Sequence, residues 1–294
     1  MKLPVRIFDI EEQYYEECAH KGKVERIDYH TRSYLGEEMD KYAFVYVPYG
    51  YDTKKKYEIL YLIHGGGESA EKYLYQDGEN NVLKRIVDNM IERKQMRKCL
   101  ICTPSFYPYN KNTERDGALE FTKAFAREMR KDLIPAVEGR FHACAQSTEI
   151  KDLVLSRNRR YAAGWSCGSA ATWFLFLEDL AYFSAFGAMS ADCWSQGVFG
   201  SRSNPKETAK DLCNAVYAQG YKPGDYHIFS ITGDKDEFNW DTMPPLAEAL
   251  KAYPEEFDRE HFRFYYWKDG EHHTPWRLAY TYNILSTFLK GEAE

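Results

Sequence analysis

Residues 161–171 form a short apolar run that passes through Gly164-Trp165-Ser166-Cys167-Gly168 into a stretch of small and apolar helix formers. No other segment constrains the fold as tightly. A strand that turns into a helix about a single residue needs small neighbours on both sides of the turn, and a serine at the apex is held where a base can reach its hydroxyl. The same five residues also occur as an ordinary Gly/Ser turn, so their weight depends on what accompanies them.

Two further strand-and-loop units accompany them. Upstream, Tyr57–Ile63 reads as a buried strand that ends in His64-Gly65-Gly66-Gly67. A glycine-rich loop leaving a strand brings backbone N–H groups close to a ligand, as an oxyanion hole requires. The expected donors are the N–H groups of Gly66 and Cys167, with Gly67 beside them as a further donor or substrate contact. His64, on the oxyanion side, reads as a residue that fixes the loop. Downstream, Tyr226–Thr232 is strand-like and runs into Gly233-Asp234-Lys235-Asp236, and His261–Trp267 alternates into a loop holding Gly270, His272 and His273. Serine, acid and histidine, each just past a strand, follow the chain order of an α/β-hydrolase triad. The residues themselves leave Asp234 and Asp236 open as the acid, and His272 and His273 open as the base.

The rest of the chain fits an α/β-hydrolase fold, with a mostly parallel central sheet and helices on both faces. Residues 23–33 and 42–48 alternate and read as an antiparallel start. Apolar stripes predict helices at 82–91 and from 121 up to Pro135, and again at about 204–218, 242–252 and 276–290. The polar segment 139–160 reads as an irregular surface excursion. No linker, charge block or repeat divides the 294 residues, so the expectation is one catalytic domain over 1–294 with its core at about 20–290.

The net charge of −6, with basic residues dispersed, leaves no footprint for nucleic acid. The seven cysteines are an odd count and a poor disulfide framework; Cys99 and Cys102, three apart in a strand, should point to opposite faces as core residues. No run has membrane-spanning length and the first residues lack a secretory apolar stretch, so the expected location is the cytoplasm, although a chain whose leader has been cleaved would read the same.

These motifs together resemble the feruloyl and related xylan esterases of carbohydrate esterase family one, within the esterase D-like α/β hydrolases. The likeness begins near Lys21–Ile27 and Val45–Asp52. It continues through Ile59–Gly67, Thr103–Tyr107, Asp132–Glu138, the serine turn, Met189–Trp194 and the last histidine loop, covering roughly residues 20 to 290. The resemblance implies Asp236 as the acid, because the family's acid closes a Gly-Thr-Lys-Asp turn. It implies His272 as the base, counting back from Tyr282–Leu285. His273-Thr274 stands where the family often has two tryptophans, and His273 then flanks the cleft.

The resemblance also implies the reaction. Ser166 would form an acyl-enzyme with His272 as base and Asp236 as its partner, needing no metal or organic cofactor. The substrate would be a small-molecule or oligosaccharide ester, such as feruloylated xylan fragments. Trp194 is expected to help form an aromatic acyl pocket, with Gly67, Trp165 and His273 as further substrate contacts. The competing expectations are an acetyl xylan or short-chain carboxylesterase, including an S-formylglutathione hydrolase-like thioesterase, and a carbohydrate-binding pseudoenzyme. Sequence leaves the oligomeric state open.

Overall fold

The computed structural model describes residues 1–106 and 117–291, so Tyr107, which closes one of the segments quoted above, lies outside the described residues. The chain opens with two long strands, β1 (Lys23–Arg32) and β2 (Glu38–Val47), followed by β3 (Ile59–Ile63). A short helix α1 (Ala70–Leu74) and the longer α2 (Val82–Glu92) lead to β4 (Leu100–Pro104). Three helices follow, α3 (Ala118–Glu128), α4 (Ile134–Arg140) and α5 (Ile150–Leu155), before β5 (Arg160–Trp165) and α6 (Cys167–Glu178). The remainder alternates through β6 (Ala185–Met189), α7 (Pro205–Ala218), β7 (His227–Gly233), α8 (Met243–Leu250), β8 (Phe262–Trp267) and α9 (Thr274–Phe288).

Among the described residues, eight strands join one sheet in the order β1-β2-β4-β3-β5-β6-β7-β8, with β1, β2 and β4 paired antiparallel and the rest parallel. The three central parallel strands β3, β5 and β6 are buried along their whole length, because helices cover both faces and no residue of the strand can face water. One face is packed by α3 to α8 through residues such as Phe125, Leu133, Trp173, Leu212 and Leu246. The other is packed by α1, α2 and α9 through Leu74, Ile86, Met90, Ile284 and Phe288. Cys102 lies in the first of these cores and Cys99 in the second, as their spacing requires, and all seven cysteines are free.

Three local readings change. The helix read as ending before Pro135 continues: a π-turn at Met129–Leu133 leads into α4, whose first turn contains Pro135. The segment read as irregular contains α5, which buries only Leu153 while Ile150 and Leu155 face water, so it carries no apolar stripe. Strand β6 had no counterpart in the reading, because Ala-Phe-Gly-Ala-Met lacks both alternation and β-branched residues. Its pairing with β5 and β7 makes it a strand.

Candidate active site

Four loops leave the C-terminal ends of neighbouring parallel strands and meet over β5, where open α/β sheets place their ligand crevices. Between β5 and α6 the chain turns at Ser166, whose φ of 55° and ψ of −122° lie where few non-glycine residues go. The strained apex is tied down: Ser166 N–H donates to the carbonyl of Met189 at 2.9 Å, and its own carbonyl accepts Ser169 N–H at 2.8 Å. A Cβ on Gly164 would sit 2.0 Å from the carbonyl oxygen of Gly168, and one on Gly168 would sit 2.3 Å from that of Ile63. Only glycine lets strand, turn and helix pack this closely, which is the physical content of Gly-x-Ser-x-Gly here.

The turn after β7 and the loop after β8 are stitched together before either reaches the serine. Lys235 N–H donates to the Gly270 carbonyl at 2.9 Å and Asp234 N–H to that of Trp267 at 3.0 Å. The Asp234 carboxylate accepts Asp269 N–H at 2.6 Å and remains exposed. Asp236, two residues on, is fully buried; one carboxylate oxygen accepts the N–H groups of Phe238 (3.1 Å) and Asn239 (2.9 Å), and the other faces His272 Nδ1 at 2.9 Å. Burial pushes the Asp236 carboxyl up, but its hydrogen bonds and the charge attraction of His272 outweigh that and hold it below the usual carboxylate value. An ionised carboxylate only accepts, so Nδ1 of His272 carries the proton and Nε2 is left to accept from the Ser166 hydroxyl, 3.0 Å away.

The imidazole of His272 is held on both sides. Trp165 lies against it with centroids 4.7 Å apart, and Phe238 meets it edge to face at 5.0 Å. His273, by contrast, is exposed, lies 4.0 Å from Glu271, and serves the backbone by accepting Arg277 N–H through its carbonyl at 3.0 Å. The structure thus brings Ser166, His272 and Asp236 into one hydrogen-bonded chain, and leaves Asp234 and His273 outside it.

The glycine loop after β3 passes beside the serine: a Cβ on Gly65 would lie 3.1 Å from the Ser166 Cβ. Gly66 and Gly67 are exposed at its tip, and Cys167 opens α6, so the two sequence-derived donors flank the serine from the loop and from the helix N-terminus. His64 fixes the loop from below. Its Nε2 accepts Phe106 N–H at 3.1 Å, so Nδ1 carries the proton toward the Gly65 carbonyl at 2.9 Å. Burial pulls the His64 pKa down to about 4, which keeps the ring neutral.

Two residues that sequence reasoning missed complete the loop. Glu68 accepts Gly65 N–H at 3.2 Å and pairs with Arg277 at 2.7 Å, and Arg277 stands in the first turns of α9, just past the histidine loop. The Arg277 guanidinium also lies 4.3 Å from the Tyr73 ring centroid. This bridge links the glycine loop to the helix that follows His272. Its partners are 209 positions apart, and no local pattern in the sequence joins them.

Two expected substrate contacts take other positions. Trp165 is 4 % exposed and acts as a wall behind His272, packed also on Tyr280. Trp194 is 3 % exposed and packs on Ala170 and Phe174 of α6, with Cys167 at the margin of the same cluster. Both rings are therefore buried supports in this structure and not open pocket surface. Asp192, in the same segment as Trp194, is buried and accepts Ser201 N–H at 2.8 Å; burial raises its carboxyl to about 6. Among the described residues no group of three or more His, Cys, Asp or Glu side chains could hold a metal, and no helix is long and apolar enough to cross a membrane.

Comparison with known proteins gives four matches of use. The esterase family model matches residues 33–280. Endo-1,4-beta-xylanase Y of Acetivibrio thermocellus is 29 % identical over 283 residues, which is 95 % of this chain and 24 % of that protein, so the chain spans about a quarter of its relative's length. Among solved structures, a serine-to-alanine mutant of the feruloyl esterase module from Clostridium thermocellum, complexed with sinapinate, superposes with a TM-score of 0.82 at 27 % identity, covering 100 % of this chain and 98 % of that one. A ferulic acid esterase from the anaerobic fungus Anaeromyces mucronatus shares the fold at 16 % identity and a TM-score of 0.71, over 97 % of this chain and 98 % of that one.

Proposed function

The chain belongs to the esterase family, and from that premise we propose that it is a serine carboxylesterase that releases hydroxycinnamic acids such as ferulate from feruloylated xylan or arabinoxylan. The observation that carries the reaction class is the hydrogen-bonded chain from Ser166 Oγ through His272 to the buried Asp236, at the end of a strained strand-to-helix turn. The likeness to a feruloyl esterase module and to a xylanase supports the choice of ester.

Ser166 Oγ attacks the ester carbonyl carbon while His272 Nε2 takes the hydroxyl proton. Asp236 holds the Nδ1–H tautomer and stabilises the imidazolium that forms. The carbonyl oxygen becomes an oxyanion directed at the N–H groups of Gly66 and Cys167, each such donor being worth roughly 100 to 1,000-fold in turnover. Collapse of this intermediate breaks the bond to the alcohol oxygen, which leaves with the proton from Nε2. Water, giving its proton to Nε2, then attacks the acyl carbon and releases the acid, and Ser166 recovers its proton.

Initial rates on methyl ferulate, 4-nitrophenyl acetate and acetylated xylan test the reading. Turnover of methyl ferulate well above that of the two acetyl esters is the expected result. A preference for acetylated xylan or for 4-nitrophenyl acetate replaces the feruloyl assignment with an acetyl esterase. Inactivity on all three leaves a carbohydrate-binding protein.

A further inference from the structure

The alcohol half of the ester must lie on the His272 side of Ser166, because Nε2 hands its proton to the departing oxygen. Against the His272 ring the structure presents one open ring, and a second stands two residues on. Phe238 touches the His272 ring at its edge yet is 50 % exposed, and Trp240, two residues on, is 51 % exposed. A large apolar ring half in water against the base is not a requirement of the fold, and its open face is where a ligand at that base would meet it.

The loop carrying these rings is fixed through its backbone and not by burying them. Asp236 accepts two of its N–H groups, at Phe238 and Asn239. Arg202 donates to the Phe238 carbonyl at 3.1 Å and to the Asp241 carboxylate at 2.6 Å, and the Tyr266 hydroxyl donates to the Trp240 carbonyl at 2.8 Å. A rigid loop that holds aromatic faces ready loses little freedom on binding, which is the condition for a preformed subsite. Glu237, the residue before Phe238, is exposed as well. An open aromatic face suits a sugar ring, whose C–H face is apolar.

We propose that Phe238 and Trp240 form the subsite for the alcohol half of the ester and stack a sugar ring there as it departs over His272. The inference rests on the esterase reading and adds the polymer side of the substrate to it. Trp165 and Trp194, though aromatic, are buried and have no face to offer.

The test compares kcat/KM on a feruloylated arabinoxylan oligosaccharide with kcat/KM on methyl ferulate, whose alcohol is too small to reach the rings. Both substrates use the same triad, so the ratio removes any effect of Phe238 on His272. Phe238→Ala and Trp240→Ala should each lower the ratio about tenfold, chiefly through KM on the oligosaccharide, and Phe238→Tyr should restore it. A ratio within twofold of wild type in both alanine variants overturns the proposal, as does a loss equal on both substrates. If the wild-type chain cleaves 4-nitrophenyl acetate but neither feruloyl ester, the feruloyl reading fails separately. The ratio of acetylated xylo-oligosaccharide to 4-nitrophenyl acetate then decides the subsite by the same criterion.

Discussion

Asp234 and Asp236 stand two residues apart and differ in everything that decides a carboxylate's role. Asp236 is buried, accepts two backbone N–H groups and faces His272, whereas Asp234 is exposed and caps the neighbouring loop. Asp236→Asn should therefore lower kcat on the order of 10,000-fold, the cost of a wrong tautomer, and Asp234→Asn by less than about tenfold, since it removes only a loop contact. A larger loss at Asp234 would move the acid by two positions. Steady-state rates on methyl ferulate should likewise place His272→Ala near the Ser166→Ala level and leave His273→Ala with most of its turnover. His64 yields a prediction about stability. Burial lowers its pKa to about 4 from the ordinary 6.5, so between those values the unfolded chain binds a proton that the folded chain refuses. Its contribution is complete above about pH 6.5 and is lost as the pH falls toward 4. Thermal melts at pH 7 and pH 5 should show a smaller drop in Tm for His64→Asn than for wild type; equal drops would contradict the neutral buried ring.

Between elements, the contacts that set the site are close backbone approaches and one ion pair. A Cβ on Gly233 would lie 2.1 Å from the Gly270 carbonyl oxygen, so Gly233→Ala must push the acid turn away from the histidine loop. Denaturant unfolding should show a loss of about 3 kcal/mol, the upper range for overpacking against groups that cannot yield. The Glu68–Arg277 bridge ties the glycine loop to α9. Arg277→Met should lower kcat about tenfold with KM changed less than about threefold, because a displaced oxyanion donor is felt in the transition state; a change confined to KM would make the bridge a substrate contact instead. At this scale the sequence was informative wherever an apolar run was long or periodic, as for β3, β5, β7, α2 and α9. It was silent for β6, whose strand character comes from its neighbours, and for α5, whose apolar residues mostly face water. Pro135 misled because a proline reads as a stop, yet a π-turn here carries the helix across it.

Across the whole molecule, the site is a place where residues from four loops over the sheet's parallel half converge. Ser166, the acid turn and the histidine loop could be found in the sequence because each follows directly on an apolar strand, and strand ends in such a sheet share one crevice. Choosing between adjacent candidates needed the family register, since periodicity says nothing about which of two neighbouring loop residues turns inward. Phe238, Glu68 and Arg277 stayed hidden because their partners are distant in the chain. Trp165 and Trp194 were visible, but a tryptophan near a site reads equally well in sequence as a pocket wall or as its support. The account's central claim is a feruloyl group carried covalently by Ser166, and the most direct measurement is peptide mass spectrometry after rapid acid quench of the protein reacting with 4-nitrophenyl ferulate. The account predicts one feruloyl adduct, on the peptide containing Ser166, absent in Ser166→Ala. Release of ferulate with no adduct on that peptide, or with the adduct on another residue, would contradict it.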